Sequence, residues 1–212
     1  MLRTLSAAAL SLALLTAPAL AGQAPGPPPP PPTKNPADAP AGEYKVDERH
    51  ASVIARVPHA GGTSLSTFRF NAISGTLTWD PARVENSKVT VVVDPKSIDS
   101  NPVANFPAGE LAGDRFLNVA KFPEARFVST SIQRTGPTTG RIMGNLSFMG
   151  QTRPITIEAS LVGAGRGNRG FAVGFTGTTR FKRSDFGFTN MLPGIGDEIE
   201  LLLDIEFNRP AS

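Results

Sequence analysis

The segment Glu198–Asn208 reads EIELLLDIEFN. Ile199, Leu201, Leu203, Ile205 and Phe207 alternate with Glu198, Glu200, Leu202, Asp204, Glu206 and Asn208. One set is apolar and the other is polar except for Leu202. A period of two belongs to a strand with one buried and one wet side. A helix would place Glu198 and Leu202, four apart, on one face and mix the two classes. The segment is a half-buried strand.

The same period recurs upstream. Val53, Ala55, Val57 and His59 form the apolar phase of SVIARVPH, and Val89, Val91 and Val93 that of KVTVVVD. Phe68 and Phe70, then Ile73, Gly75, Leu77 and Trp79, read as one long strand whose phase changes near Ala72, the signature of a bulge. Phe127 and Ser129 lie in ARFVSTSI, and Ile142, Gly144, Leu146 and Phe148 lead into a turn at Met149–Gly150–Gln151. Ile155, Ile157, Ala159 and Leu161 follow that turn, and Phe171, Val173, Phe175 and Phe181 come after the glycine-rich GAGRGNRG. Short glycine-containing turns between neighbouring strands point to antiparallel hairpins. Only Ala108–Val119 looks helical, and Gly109 and Gly113 weaken it. About eight strands with one apolar face each fit a sandwich or a closed barrel. A barrel of that size has room for side chains or for one small ligand. Its phenylalanines would then either fill the core or line a cavity.

The strands occupy only part of the 212 residues. Arg3 precedes an apolar run from about Leu5 to Ala17, and Ala19-Leu20-Ala21 supplies a small–x–small end before Gly22. A basic start, a short apolar run and such an end describe a secretory signal peptide over residues 1–21, cleaved after Ala21. The run is too short for a membrane span, which needs about 20 apolar residues. Residues 22–42 hold nine of the 20 prolines, six of them consecutive from Pro27 to Pro32. Polyproline makes no helix or sheet ladder, so this segment is read as a stiff linker. Residues 43–209 contain all 13 phenylalanines, Trp79 and Tyr44, and form the folded domain. A domain of this length buries roughly 70% of its unfolded surface and needs no staples.

Composition narrows the chemistry. With no cysteine there is no disulfide framework, thiol nucleophile, iron–sulfur cluster or lipidated thiol anchor. A net charge of +3 is too small to argue for nucleic acid. The chain has two histidines, His50 and His59, and nine residues of extended chain would separate them by roughly 30 Å. No metal, no cofactor and no catalytic group is expected, and no HExxH, GxSxG or GxxxxGK[ST] motif occurs. His59 lies on an apolar phase and fits the core or a pocket mouth. Lys182-Arg183-Ser184-Asp185 reads as a solvated loop or as a headgroup contact at a cavity mouth.

Several ordered motifs carry a family resemblance. They are Tyr44-Lys45-Val46-Asp47 with His50 and His59; Asp94…Ser97-Ile98 leading to Asp114-Arg115-Phe116-Leu117-Asn118-Val119 and Lys121-Phe122-Pro123; Gly144-Asn145-Leu146-Ser147-Phe148-Met149-Gly150-Gln151; and Arg183-Ser184-Asp185-Phe186-Gly187 followed by Gly196-Asp197-Glu198-Ile199. Together they resemble the YceI-like family of bacterial periplasmic polyisoprenoid- or lipid-binding proteins. Met149 departs from the family pattern, which often has His there, and the proline-rich leader lies outside that pattern.

The resemblance implies an all-β fold: a lipocalin-like antiparallel β-barrel of about eight strands with a short helical insertion. It also implies an exported, periplasmic, non-catalytic protein holding a long-chain isoprenoid, quinone tail or fatty-acid amide in an apolar tunnel. Phe68, Phe70, Phe127, Phe148, Phe175, Phe181, Phe186 and Phe188, with Leu146 and Ile157, are the expected tunnel residues. His59, Arg183 and Asp185 are the candidate headgroup contacts. Two other readings stay open: an interaction protein with a filled core, and a lipid hydrolase using His50 or His59. Homodimerisation through outward residues such as Leu202 and Val92 also stays open.

Overall fold

The computed structural model of the chain describes residues 30–100, 107–167 and 170–210. The leader at residues 1–21 and the first part of the proline-rich segment lie outside them. Ten strands run in chain order: β1 (Gly42–His59), β2 (Ser64–Phe70), β3 (Ile73–Trp79), β4 (Lys88–Val93), β5 (Ile98–Ser100), β6 (Ala125–Arg134), β7 (Thr139–Phe148), β8 (Gln151–Gly167), β9 (Gly170–Lys182) and β10 (Glu198–Pro210). They occupy eight positions in a closed antiparallel barrel.

Two bent strands account for the difference between ten and eight. The early part of β1 pairs with β3 and its later part with β2. In the same way β3 pairs with β4, and β2 with β5. The phase change expected near Ala72 is therefore a corner between β2 and β3. Ser97 Oγ accepts the N–H groups of both Asn71 and Ala72 there, at 3.1 and 2.9 Å. Closure comes from β10, which pairs with β9 on one side and with β1 on the other.

Alternation decides which side chains face inward. Ile199, Ile205 and Phe207 of β10 are buried, whereas Glu198 and Asp204 are exposed. Outside, charges pair across strands: Arg56 and Arg180 each donate to Glu200, at 2.9 and 2.6 Å, and Arg141 donates to Glu158 at 2.8 Å. Exposed pairs of this kind contribute little stability and chiefly keep the outer face wet.

The β7–β8 hairpin turns through Met149 (φ 48°) and Gly150 (φ 76°), a two-residue turn with both central residues left-handed. The helical insertion is shorter than its sequence suggests. Helix α1 spans Ala108–Ala112 and stops where the Gly113 N–H turns back to Glu110 O, so Gly113 acts as a breaker. Leu111 of the helix and Phe116 and Leu117 beyond it pack with Ile98 of β5.

The described part of the proline-rich segment is not a free spacer. Pro27–Pro32 offer no backbone donor, and Thr33 is the first residue after them that does. Thr33 exchanges two backbone hydrogen bonds with Ala164 of β8, at 3.0 and 2.7 Å. Gly165 makes room beside it, since a Cβ there would lie 3.2 Å from Pro32. A 3-10 turn at Pro36–Asp38 follows, Ala39 is fully buried, and Tyr44 donates its hydroxyl to Pro40 O at 2.7 Å. The segment thus crosses from β8 to the start of β1 as a strap.

Gly144 on β7 marks a close approach inside the wall. A Cβ there would stand 2.4 Å from both the Phe127 ring and Val128 O. The Gly144→Ala variant is expected to lose about 1–3 kcal/mol by overpacking, read as a lower urea midpoint at unchanged m-value.

Candidate functional site

The inward faces enclose a cavity of about 580 Å³ that runs along the barrel. One end is bounded by Trp79, the β6–β7 turn at Arg134–Thr139 and Pro36 of the strap. His59, Asn190 and Met191 bound the other. Two aromatic clusters mark these ends. Trp79 meets Phe175 edge-on at 5.7 Å, and Phe175 meets Phe207 at 6.4 Å. Towards the far end, Phe148 meets Phe186 and Phe188 at 5.7 and 6.4 Å, and Phe181 meets Phe186 at 5.2 Å.

Nine of the ten side chains expected to line a tunnel face this cavity: Phe68, Phe70, Phe127, Phe148, Phe175, Phe181, Phe188, Leu146 and Ile157. Phe186 does not. It is 2% exposed and sits in the wall between Phe148 and Phe181, because the turn at Arg183–Phe186 takes it off the strand's alternating phase.

The headgroup candidates separate. His59 is exposed at the cavity mouth, with its Nδ1 3.4 Å from Ser64 Oγ, a long contact. Arg183 also borders the cavity but is only 2% exposed, and each of its three guanidinium nitrogens donates a hydrogen bond. Nε donates to Gly196 O at 2.8 Å, Nη1 to Phe188 O at 3.0 Å and Nη2 to Ile195 O at 2.9 Å. The group lies 5.0 Å from the Phe188 ring centroid. Burial pushes its pKa down, yet guanidinium stays charged at any working pH. Arg183 is the strut of the arch Ser184–Asp197, which docks on β1 through Gly196 N–H to Pro58 O at 2.7 Å.

Asp185 is exposed and does not border the cavity. The carboxylate that matters locally is Asp197, which accepts from Ser184 N–H at 2.9 Å and the Ser184 hydroxyl at 2.8 Å. Partial burial opposes its charge, but those two bonds and the nearby Arg183 and Lys182 cations hold its pKa below the ordinary 3.8. The role of Asp197 leaves no local signal in the sequence, since its partner Ser184 is thirteen residues away. Trp79 and Thr179 join the expected residues on the cavity lining. Strand phase marks both: Trp79 follows Leu77 by two, and Thr179 lies between Phe175 and Phe181.

The histidines are not brought together. His50 lies in a bulge of β1, where Val46 pairs with Phe207 and Ala51 with Ile205, so five steps along β1 match two along β10. Its Nδ1 is 3.1 Å from Asp47 Oδ2, and donor atoms of Asp47, His50 and Glu206 fall within 4.8 Å of one another. Asp47 is already occupied there, accepting from Asn208 Nδ2 at 2.8 Å and Arg49 N–H at 3.0 Å. The His50 bond, with the Arg49 N–H and the His50 and Arg49 charges, lowers the Asp47 pKa against a smaller desolvation effect. Among the described residues no carboxylate is hydrogen-bonded or ion-paired to His59.

A family model described as the YceI-like domain matches residues 44–207. The chain belongs to the YceI-like family. A UPF0312 protein of Shewanella denitrificans is 39% identical over 169 residues, covering 78% of this chain and 87% of that protein. Among solved structures, Burkholderia cenocepacia BcnA aligns with a TM-score of 0.65 at 20% identity, over 76% of this chain and 98% of its own. A polyisoprenoid binding domain from Saccharophagus degradans, implicated in plant cell wall breakdown, aligns at 0.59 and 13% identity, over 79% and 98%. At these identities the two structures show that the YceI-like barrel is shared, and no more.

Two measurements check the arch. Arg183→Met leaves three part-buried carbonyls without their side-chain donors and is expected to cost on the order of 3 kcal/mol in chemical denaturation. A depressed carboxyl pKa contributes stability above the unfolded value and loses it as pH falls through the folded value. Thermal stability is therefore expected to decline from about pH 4 downward, and Asp197→Asn should flatten that decline. An unaltered acid slope in this variant would remove Asp197 from the account.

Proposed function

We propose that this YceI-like protein binds a long-chain amphiphilic lipid inside its barrel, in the periplasm, and performs no chemistry on it. The observation that carries the reading is the cavity. Its volume of about 580 Å³ is within the roughly 300–1,000 Å³ common for small-molecule sites. Its shape runs along the barrel, and its walls are the inward valines, leucines, isoleucines and phenylalanines of the strands. A chain with ten carbons withdrawn from water gains roughly 8 kcal/mol before ordering costs, near micromolar affinity. Polyisoprenoids, quinone tails and fatty-acid amides share that chemistry.

Three further points support the reading. The leader has the composition of a secretory signal, which directs the mature chain to the periplasm. No helix among the described residues is long and apolar enough to cross a membrane. The Saccharophagus degradans neighbour is itself a polyisoprenoid binding domain. Among the described residues His59, the histidine at the cavity, has a long contact to Ser64 at 3.4 Å and no carboxylate partner, which supports the non-catalytic reading.

Native mass spectrometry of the mature protein, purified from its own compartment, followed by organic extraction, tests this directly. A stoichiometric long-chain amphiphile is expected. Phe148→Asp and Phe175→Asp, each placing a carboxylate in the apolar cavity, are expected to fold less stably and to lose the lipid. A clean apo mass, with no uptake of polyprenyl or fatty-acyl probes, would overturn the proposal in favour of an interaction protein.

A further inference from the structure

Five large hydrophobic side chains are exposed among the described residues: Leu65, Val128, Val162, Met191 and Leu192. Single exposed apolar residues are ordinary on a protein surface. Three of these five, however, gather at one end of the barrel. Leu65 of β2 stands opposite Pro58 of β1, and Met191 and Leu192 belong to the arch Ser184–Asp197. The arch is seated on the end of β1. Ala60 N–H donates to Gly194 O at 2.9 Å, Gly196 N–H donates to Pro58 O at 2.7 Å, and His59 bridges to Ile195. The β1–β2 hairpin tip and the arch thus form the His59 mouth together. Met191 both borders the cavity and is 42% exposed, so the apolar lining continues through it to the outside.

Charge is missing from the same place. Residues 57–68 and 186–196 contain no Asp, Glu, Lys or Arg. With 18% of the chain charged, stretches of that combined length would ordinarily carry about four such residues. Arg56, Arg69, Asp185 and Asp197 are the first charges met along the chain on either side. The Trp79 end is different. Lys34 and Asp38 lie exposed on the strap, Asp80 pairs with Arg83 just after Trp79, and Arg134 borders the cavity.

The two properties together select a partner. A protein partner is met by a rim of polar and charged groups that fixes its orientation. An uncharged ring with protruding aliphatic side chains suits the boundary between lipid headgroups and acyl chains, where apolar area is buried. The mouth is also the opening of the compartment that holds a water-insoluble chain, and a bilayer is the phase such a chain leaves or joins.

We propose that the His59 mouth docks on a lipid bilayer, with Leu65, Met191 and Leu192 entering its interface, and that lipid passes there between bilayer and cavity without crossing water. The inference rests on lipid binding in the barrel and adds the surface by which the lipid enters. Docking driven by apolar burial is insensitive to salt, whereas docking driven by charge is screened.

The chain has no cysteine, so one introduced thiol gives one labelling site. Leu192→Cys and Val162→Cys, each in the mature protein, are labelled with the environment-sensitive fluorophore NBD and mixed with phosphatidylcholine vesicles. Neither position borders the cavity, and Val162, the more exposed of the two, controls for exposure alone. Emission at position 192 is expected to rise about threefold and shift to the blue, at low and high salt alike, with little change at position 162. Leu65→Glu is expected to lower vesicle partition about tenfold, while binding of dansylaminoundecanoic acid in solution stays within about twofold. Release of that probe from the wild type into vesicles is expected to quicken in proportion to vesicle concentration.

No response at position 192, or a release rate independent of vesicle concentration, overturns the inference while uptake of the probe leaves lipid binding standing. An equal response at position 162, or unchanged partition of Leu65→Glu, overturns it by moving the contact elsewhere. Docking abolished by high salt overturns it in favour of a charged contact. A response that needs no vesicles and grows with protein concentration overturns it in favour of a second copy over the mouth. Docking without uptake of the probe supports the surface and removes the lipid-binding reading. If Leu65→Glu fails to fold, the two labelled positions decide the matter.

Discussion

Pairing of β10 with β1 is the contact on which the rest of the structure depends. Without it the sheet would be an open strip with two edges and one wet apolar face. With it, the inward side chains of eight strand positions face the same interior, and among the described residues only the short β5 keeps a single partner strand, with Leu111 of α1 packed against its Ile98. The register from Ala51–Ile205 to Arg56–Glu200 sets the phase on both strands at once. A one-residue slip would turn Ile199, Leu201, Leu203, Ile205 and Phe207 towards water and bring Glu198, Asp204 and Glu206 inside. The charged outer face of β10 therefore specifies register as strongly as its apolar inner face does.

Closure also explains why there is a cavity. A barrel of this size leaves more interior than its own side chains fill unless large residues meet at the axis. Here the large residues gather towards the two ends, Trp79 with Phe175 and Phe207 at one and Phe148 with Phe181 and Phe188 at the other. Between them the wall carries Phe127 beside smaller groups: Val91, Ile157, Gly177 and Leu203. Gly177 in particular offers no side chain, and a Cβ there would meet Ile157 at 3.0 Å. The choice between a filled core and a hollow one, open on composition alone, is thus made by where the aromatic residues fall along the strands.

Much of this was legible because strand alternation is a local property. Each inward phase read from Val53, Val89, Phe127, Ile142, Ile155 and Ile199 points to the cavity, and the corner at Ala72 falls where the phase broke. Illegible features depend on contacts between segments distant in sequence. Arg183 looked like a loop cation because its partners, the carbonyls of Phe188, Ile195 and Gly196, are backbone groups that leave no trace in residue identity. Asp185 looked like its acidic neighbour, whereas the turn directs Ser184 to Asp197. Phe186 was placed by hydrophobicity alone, after the strand that would have fixed its direction had ended.

The proline-rich strap shows the same limit from the other side. Its composition argues against helix and sheet ladder, yet the one residue after the consecutive prolines suffices to dock it. Thr33 restores a donor, and β7 reaches β8 only as far as Thr139 opposite Ser160, so Ala164 keeps Val173 of β9 on one side and has no strand on the other, where it exchanges its N–H and C=O with Thr33. The anchoring is therefore a consequence of unequal strand lengths: the strap takes the place beside β8 that the shorter β7 leaves open. Since the strap places Pro36 on the cavity wall at the Trp79 end, the point where β7 begins shapes the far end of the binding chamber.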